Sequence, residues 1–217
     1  MIKKIETFHQ KHLCVVRITA ADGTIGWGQT AHVNADITGQ ILHRQLAPLV
    51  LGKDSNDIEE LSDLCVENTY KFYGSYICRA AAGIDTALWD IKAKRAGKSV
   101  AALLGSTKTH VDVYGSSMDK KISPTQEADR MKRLQQEKGF RAFKLHIAKG
   151  VGRDQDMYPG RTEEVVPLVR KAIGDDTFLT VDPNGAYTVN RAIELGRFFA
   201  EYGIGYFEEP CPFWEYE

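Results

Sequence analysis

From about residue 111 onward, the chain alternates short apolar segments of strand length with longer amphipathic segments of helix length, and this alternation constrains the fold more than any other feature. The predicted strands are 111–116, 142–147, 178–181 and 206–207, and the predicted helices between them are 124–138, 162–173 and 189–202. Repeated strand–helix units require a parallel sheet with right-handed crossovers. The pattern therefore leaves two folds open, a doubly wound sheet and a barrel of strands surrounded by helices.

The first 107 residues follow a different order, in which strands come before helices. Residues 1 to about 30 alternate apolar and polar side chains around a turn at Asp22-Gly23, which is typical of an antiparallel meander. Apolar residues then recur at helical spacing, most clearly over 78–95, where Gly97 follows as a stop signal. We therefore predict an α+β domain over residues 1–107 and an α/β domain over residues 108–217.

Composition favours an ordinary globular protein that acts on small molecules. The chain has 217 residues, of which 43% are hydrophobic and 26% are charged, and its formal net charge is -1. This balance gives no field that would attract nucleic acid or an anionic membrane surface, and no apolar run approaches membrane-spanning length. The amino terminus runs straight into a strand-like pattern, which favours a cytoplasmic protein. The four cysteines form no CxxC pair, so reduced and mostly buried thiols are expected.

Polar side chains stand at the ends of three consecutive predicted strands. Lys144 and His146 alternate with apolar residues, so period-two geometry sends both to one face of their strand. Asp182 ends the next strand, and Glu208 ends the one after it. The carboxyl ends of parallel strands meet at one mouth of a barrel or one edge of a sheet, where active sites form. These four side chains are therefore the candidate site.

The two carboxylates of this candidate site require a cation or a shared proton. Hard oxygen ligands without nearby Cys or His ligands favour Mg²⁺, which predicts Asp182 and Glu208 as its ligands. Two cationic groups on one face raise each other's cost of ionisation, so Lys144 or His146 is expected to titrate low and to be a usable base. The alternative for this pair in isolation is a lysine that snorkels at a sheet edge beside a hydrogen-bonded histidine. A base beside Mg²⁺ suits removal of the proton next to a carboxylate, through an enediolate that the cation stabilises.

Five motifs carry a resemblance to a known family. They are Gly23-Thr24-Ile25-Gly26-Trp27-Gly28, residues 83–91 with Leu103-Leu104-Gly105, Lys144-x-His146, Asp182-Pro183-Asn184 and Glu208-Glu209-Pro210. In this order and spacing, the chain resembles the mandelate racemase and muconate lactonizing enzyme branch of the enolase superfamily. The resemblance implies a capping domain and a TIM-type (β/α) barrel. It also implies Asp182 and Glu208 as Mg²⁺ ligands, Glu209 as their support, and Lys144 as the group that orients the substrate carboxylate or serves the base. Asn184 is predicted either to support these residues or to bind the substrate.

The chain departs from the pattern of that family at two places in its sequence. His146 stands where many relatives carry a second lysine that acts as the base, so its role as base or positioning residue is open. The amino-terminal hairpin is short where relatives often have a longer specificity flap, and segment 30–36, with His32 and Asn34, is either its substitute or an exposed polar loop. The long polar loop 148–161 is expected to line the mouth of the barrel.

Length limits what the chain can contain, because a closed eight-stranded barrel alone takes roughly 200 residues or more. Only about half of that remains after the capping domain, so we predict an incomplete (β/α) barrel that contains the first half and ends after its fourth strand. A third metal ligand and a second acid or base are then missing from the 217 residues. We expect the chain alone to be inactive, and its open strand edges to favour a homo-oligomer.

The predicted activity of a full-length protein is the Mg²⁺-dependent dehydration of a sugar acid, which makes it a lyase with a small-molecule carboxylate substrate. A racemase, epimerase or cycloisomerase of the same superfamily is the alternative, since these reactions begin with the same proton transfer. An inactive fragment or a non-catalytic binding module is the alternative of another class. The visible residues do not separate these possibilities.

Overall fold

The structure is a computed structural model that describes residues 1–215. It divides into two compact units, Met1–Thr109 and His110–Glu217, each with its own hydrophobic core. Within the described residues, no helix is long and apolar enough to cross a membrane.

The first unit consists of a three-stranded antiparallel sheet followed by helices, as the α+β prediction requires. The strands β1 (Ile2–Gln10), β2 (Leu13–Ala20) and β3 (Ile25–Gln29) pair in the order β1-β2-β3. The helices are α1 (Ala35–Ile41), which continues through a π-helical turn (Leu42–Leu46) into α2 (Ala47–Val50), then α3 (Ile58–Thr69), a 3₁₀ turn (Tyr70–Phe72), α4 (Ser75–Ala96) and α5 (Val100–Leu103). The core of this unit contains Ile2, Val16, Ile18, Leu42, Leu46, Leu88 and Ile91.

The predicted motif around Trp27 joins β3 to α4. The backbone N–H of Trp27 donates to the carboxylate of Asp90 at 2.8 Å. Lys94 donates to the same carboxylate at 2.7 Å and to the carbonyl of Ile25 at 2.9 Å. Asp90 therefore holds the last strand of the sheet against the helix, which is a structural role.

The second unit is a parallel sheet of four strands with intervening helices, which confirms the prediction of the first half of a (β/α) barrel. Its elements are β4 (Gly115–Ser116), α6 (Pro124–Lys138), β5 (Ala142–His146), α7 (Arg161–Ile173), β6 (Phe178–Asp182), α8 (Val189–Glu201) and β7 (Tyr206–Phe207). The strands pair in the order β4-β5-β6-β7, and all three pairings are parallel. The apolar faces of the helices and the sheet form one core, which includes Met131, Phe143, Leu145, Val165, Val169, Leu179, Val181, Leu195 and Phe199.

Two sequence predictions are corrected here. The strand predicted over 111–116 is reduced to Gly115–Ser116, because only these two residues lie opposite β5, where they pair with Phe143 and Lys144. Val111 and Val113 precede that pairing and stay exposed. The cysteines are free, as expected, but only Cys14 and Cys65 are buried, while Cys78 is exposed and Cys211 is partly exposed. The alternation of apolar residues does not show which of them pair with a neighbouring strand. The chemistry of a thiol does not show whether its side chain is buried.

Candidate active site

The carboxyl ends of β5, β6 and β7 bring the predicted site residues together. His146 lies opposite Asp182 in the parallel register, and Glu208 follows directly after β7. Lys144 and His146 are each 9% exposed, although both are polar. Both contact Asp182, which confirms that they share one face of β5. The fold thus buries three polar side chains at one end of the sheet, with the partly exposed Glu208 beside them, and such burial requires that they pair with one another.

Lys144 is the centre of the charged cluster. Its Nζ lies 3.0 Å from Asp182 Oδ2 and 3.0 Å from Glu208 Oε1. Burial by itself lowers the pKa of Lys144, but the hydrogen bonds and charges of the two carboxylates outweigh it and raise this pKa above its ordinary value. The expected lowering is therefore not found at Lys144, because its closest charged neighbours are anions. The snorkelling alternative is also wrong for this residue, since β5 is an interior strand and the ammonium group is enclosed.

His146 is held by Asn184, the last residue of the Asp182-Pro183-Asn184 motif. Its Nδ1 lies 3.2 Å from Asn184 Oδ1 and 3.6 Å from Asp182 Oδ2. Asn184 has a left-handed backbone with φ of 55°, a conformation that asparagine tolerates better than most residues. Its backbone N–H and its Nδ2 both donate to Asp182 Oδ1, each at 2.9 Å. Asn184 therefore connects the predicted metal ligand to the histidine.

Lys120 and Tyr114 belong to the cluster but were missed by sequence reasoning. Lys120 lies in the segment after β4 and donates to Asn184 Oδ1 at 3.2 Å. Burial lowers its pKa, while the negative charges of Asp182 and Asp156 oppose that effect. The Tyr114 ring lies 5.6 Å from Lys144 Nζ, a cation–π distance. The strand-end rule that found Lys144 does not reach Lys120, because Lys120 lies in the polar segment beyond the end of β4.

Three further predicted residues lie outside this cluster of contacts. Glu209 is exposed and has a left-handed backbone, and its carbonyl accepts from Gly185 N at 2.8 Å. Its carboxylate makes no ion pair with any of residues 1–215, so its support of the metal ligands stays a prediction. His32 and Asn34 are exposed in the first unit, where Asn34 donates to the hydroxyl of Tyr76 at 2.6 Å. Their part in substrate binding also stays a prediction.

The long loop between β5 and α7 is ordered by its own side chains. Asp154 accepts from the backbone N–H of Thr188 at 2.6 Å and from its hydroxyl at 2.8 Å. Asp156 accepts from the N–H of Thr162 at 2.6 Å, in the first turn of α7. These carboxylates thus connect the loop to the starts of α8 and α7. A cavity of about 560 Å³ lies against the loop and is lined by Lys149, Tyr158, Glu163, Tyr187 and Arg191, among others.

The chemistry of the cluster fits part of a Mg²⁺ site. Asp182 and Glu208 supply hard oxygen donors, and both already share one cation, the ammonium of Lys144. Within residues 1–215 there is no group of three or more His, Cys, Asp or Glu residues that could hold a metal ion. The described residues therefore offer two of the carboxylates that such a site needs.

The fold and the cluster define the class as an α+β domain followed by the first half of a (β/α) barrel, with a lysine and two carboxylates at the strand ends. Residues 2–105 match the mandelate racemase / muconate lactonizing enzyme N-terminal domain, and residues 126–217 match the enolase C-terminal domain-like family. The chain belongs to the mandelate racemase and muconate lactonizing enzyme group of the enolase superfamily.

Two curated relatives illustrate the group. Over 214 residues the chain is 32% identical to arabinonate dehydratase of Saccharolobus solfataricus. The match covers 93% of this chain and 53% of that protein. It is 33% identical to D-galactarolactone cycloisomerase of Agrobacterium fabrum, with 94% of this chain and 52% of that protein covered. The chain thus spans about half the length of the curated relatives it matches.

Solved structures agree on the fold. A racemase candidate from Roseobacter denitrificans has a TM-score of 0.96 and 48% identity, with 99% of this chain and 58% of that chain covered. A racemase from Streptomyces coelicolor A3(2), solved with bound magnesium, has a TM-score of 0.86 and 28% identity, with 98% and 64% covered. Sequence similarity and structural similarity therefore both support the assignment of the chain to this superfamily and to a partial barrel.

Proposed function

We propose that this chain forms the capping domain and the first half of the barrel of an enzyme that dehydrates a sugar acid with the help of Mg²⁺. The observation that carries the proposal is the contact of Lys144 with both Asp182 and Glu208 at the strand ends, beside His146. Lys144, His146 and Asp182 lie within β5 and β6, and Glu208 directly follows β7. The reaction needs a base, two oxygen ligands and a substrate position at one mouth of the barrel.

Each residue has a proposed role that follows from its chemistry. Asp182 and Glu208 would hold Mg²⁺, which supplies a Lewis acid that stabilises negative charge on the substrate carboxylate. Lys144 orients that carboxylate or serves the base, because its ammonium group is fixed next to both ligands. His146 is the second candidate base, at the end of the same strand. Removal of the proton next to the carboxylate, followed by loss of the neighbouring hydroxyl as water, completes a dehydration.

The identity of the substrate rests on the relatives rather than on the cluster. Arabinonate, L-talarate/galactarate, D-mannonate and D-gluconate dehydratases are among the matched proteins, and all of their names specify sugar acids. Cycloisomerases match at comparable identity, so an isomerisation that keeps the mass of the substrate is the second candidate function. Both reactions would use the same strand-end residues for the first proton transfer.

A label wash-out experiment tests the proposal. A full-length protein that contains this chain is incubated with Mg²⁺ and a panel of sugar acids that carry deuterium on the carbon next to the carboxylate. We expect loss of deuterium from at least one acid, and a product lighter by one water molecule. Loss of the label without loss of water would instead favour the isomerase. Retention of the label in every acid would contradict proton abstraction.

The 217-residue chain alone is the matched control for the full-length protein. Its described residues contain no group of three or more metal-ligating side chains, so we propose that it releases no label. Wash-out by this chain alone would show that the residues described here suffice for the first step. It would also exclude the proposal that the chain by itself is an inactive fragment or a binding module.

A further inference from the structure

The two ends of the Asn184 carboxamide face groups of opposite charge. At one end, Asp182 Oδ1 lies 2.9 Å from both the backbone N and the Nδ2 of Asn184. A carboxylate oxygen only accepts hydrogen bonds, so the amide nitrogen must face it. At the other end, the Lys120 ammonium lies 3.2 Å from Oδ1.

The reversed orientation of this carboxamide is excluded by charge. A lysine ammonium has donors and no acceptor, so an amide NH₂ group placed against Lys120 would leave both groups without a hydrogen bond. The same reversal would direct the carbonyl oxygen at the carboxylate of Asp182. Lys120 and Asp182 together therefore fix the orientation of the Asn184 carboxamide. Without such neighbours, the amide oxygen and nitrogen of an asparagine could exchange places.

The orientation of Asn184 determines the tautomer of His146. Nδ1 of His146 lies 3.2 Å from the same Oδ1, which can only accept. The neutral imidazole must therefore carry its hydrogen on Nδ1, and Nε2 keeps the lone pair. Asp182 Oδ2, at 3.6 Å from Nδ1, favours the same arrangement. This tautomer is the reverse of the one that a free histidine side chain prefers in water.

We propose that Lys120 is a positioning residue: through the carboxamide of Asn184, its ammonium group holds His146 with Nδ1 as the hydrogen-bond donor and Nε2 as the free nitrogen. The proposal rests on the proposed function in one respect, since the free Nε2 matters only if His146 faces a substrate. The hydrogen-bond chain itself is Lys120, Asn184, His146, and it depends on no bound ligand.

Nitrogen NMR of the 217-residue chain tests the proposal without any turnover. The histidine rings are labelled with ¹⁵N, and the signals of His146 are identified by their loss in His146→Gln. With the ring neutral, we expect a pyrrole-type shift for Nδ1 and a pyridine-type shift for Nε2. In Lys120→Met we expect this pattern to change toward the tautomer of a free side chain. In Lys120→Arg, which keeps a cationic donor, we expect the pattern to persist.

Lys121→Met is the control, because it removes the neighbouring charge from an exposed side chain. Its His146 shifts should equal those of the unaltered chain. The proposal is overturned if His146 carries its hydrogen on Nε2 in the unaltered chain, if Lys120→Met leaves both shifts unchanged, or if Lys120→Arg behaves like Lys120→Met. The other histidines among the six report folding in every spectrum. A failure here leaves the wash-out experiment unaffected, so the two proposals can fail separately.

Discussion

Single glycines allow β3 and α4 to approach at backbone distance. A Cβ added to Gly26 would lie 2.0 Å from the carbonyl oxygen of Ala87, and one added to Gly28 would lie 2.1 Å from that of Gly83. Neither oxygen can move without shifting the axis of α4. The glycines of the Ile25-Gly26-Trp27-Gly28 segment therefore set the distance between the sheet and the helix, and the Trp27–Asp90 hydrogen bond depends on that distance.

At this residue scale, Gly28→Ala should destabilise the first unit by about 3 kcal/mol or more, because the added methyl overlaps backbone atoms. Denaturant unfolding followed by circular dichroism measures the loss. Gly196→Ala is the matched control, since it lies in α8 with open space around it and should stabilise by about 0.5–1 kcal/mol. A loss of under about 1 kcal/mol in Gly28→Ala would contradict the packing account.

Asp182 and Glu208 could be predicted from the sequence as a converging pair, because each ends an apolar strand and parallel strands align their ends. Lys120 could not be found in this way, since it lies in a polar segment beyond a strand of two residues. Its contact with Asn184 joins residues 64 positions apart, which only the folded sheet reveals. Local patterns thus identify strand ends, and tertiary contacts decide which polar groups join them.

Among the elements, α7 carries a buried arginine near its C-terminal end that bonds to the neighbouring segments. Arg170 donates from Nε to the carbonyl of Tyr202 at 2.8 Å and from Nη2 to that of Gly203 at 2.9 Å. Its Nη1 donates to Gly174 O at 2.9 Å and to Thr177 O at 2.8 Å. These carbonyls lie at the ends of α7 and α8 and just before β6. One guanidinium thus donates to four backbone carbonyls at the ends of these elements.

We therefore expect Arg170→Met to destabilise the chain by about 3 kcal/mol, because it removes the donor from the buried carbonyl of Thr177 and from three partly buried hydrogen bonds. Thermal or urea unfolding gives the value. Arg197→Met removes an exposed arginine from α8 and should change the free energy of unfolding by less than about 0.5 kcal/mol. Equal losses in the two variants would refute the role of Arg170.

How well the bounds of an element could be predicted depends on the sequence signals at its ends. The helix α6 spans Pro124–Lys138 as predicted, because Ser123 and Gln126 form a capping box and Gly139 ends it in a left-handed conformation. The strand β4 was predicted too long, because its alternating apolar residues had no paired strand beside them. Helix ends are encoded locally, whereas strand length depends on the neighbouring strand.

For the whole molecule, alternation alone predicted parallel strands, and the resemblance selected the barrel over the doubly wound sheet. The four strands described here place two carboxylates and two candidate bases at one end of the sheet. The curated relatives are about twice as long as the part that matches. The chemistry of the complete site could therefore not be predicted from these 217 residues.

Mg²⁺ affinity is the most direct test that the strand-end carboxylates form a metal site. In a full-length protein that contains this chain, calorimetric titration should show Mg²⁺ binding that weakens about tenfold or more in Asp182→Asn and in Glu208→Gln. Asp176→Asn, which neutralises an exposed carboxylate at the opposite end of β6, should bind Mg²⁺ like the unaltered protein. Unchanged Mg²⁺ affinity in both Asp182→Asn and Glu208→Gln would contradict the account.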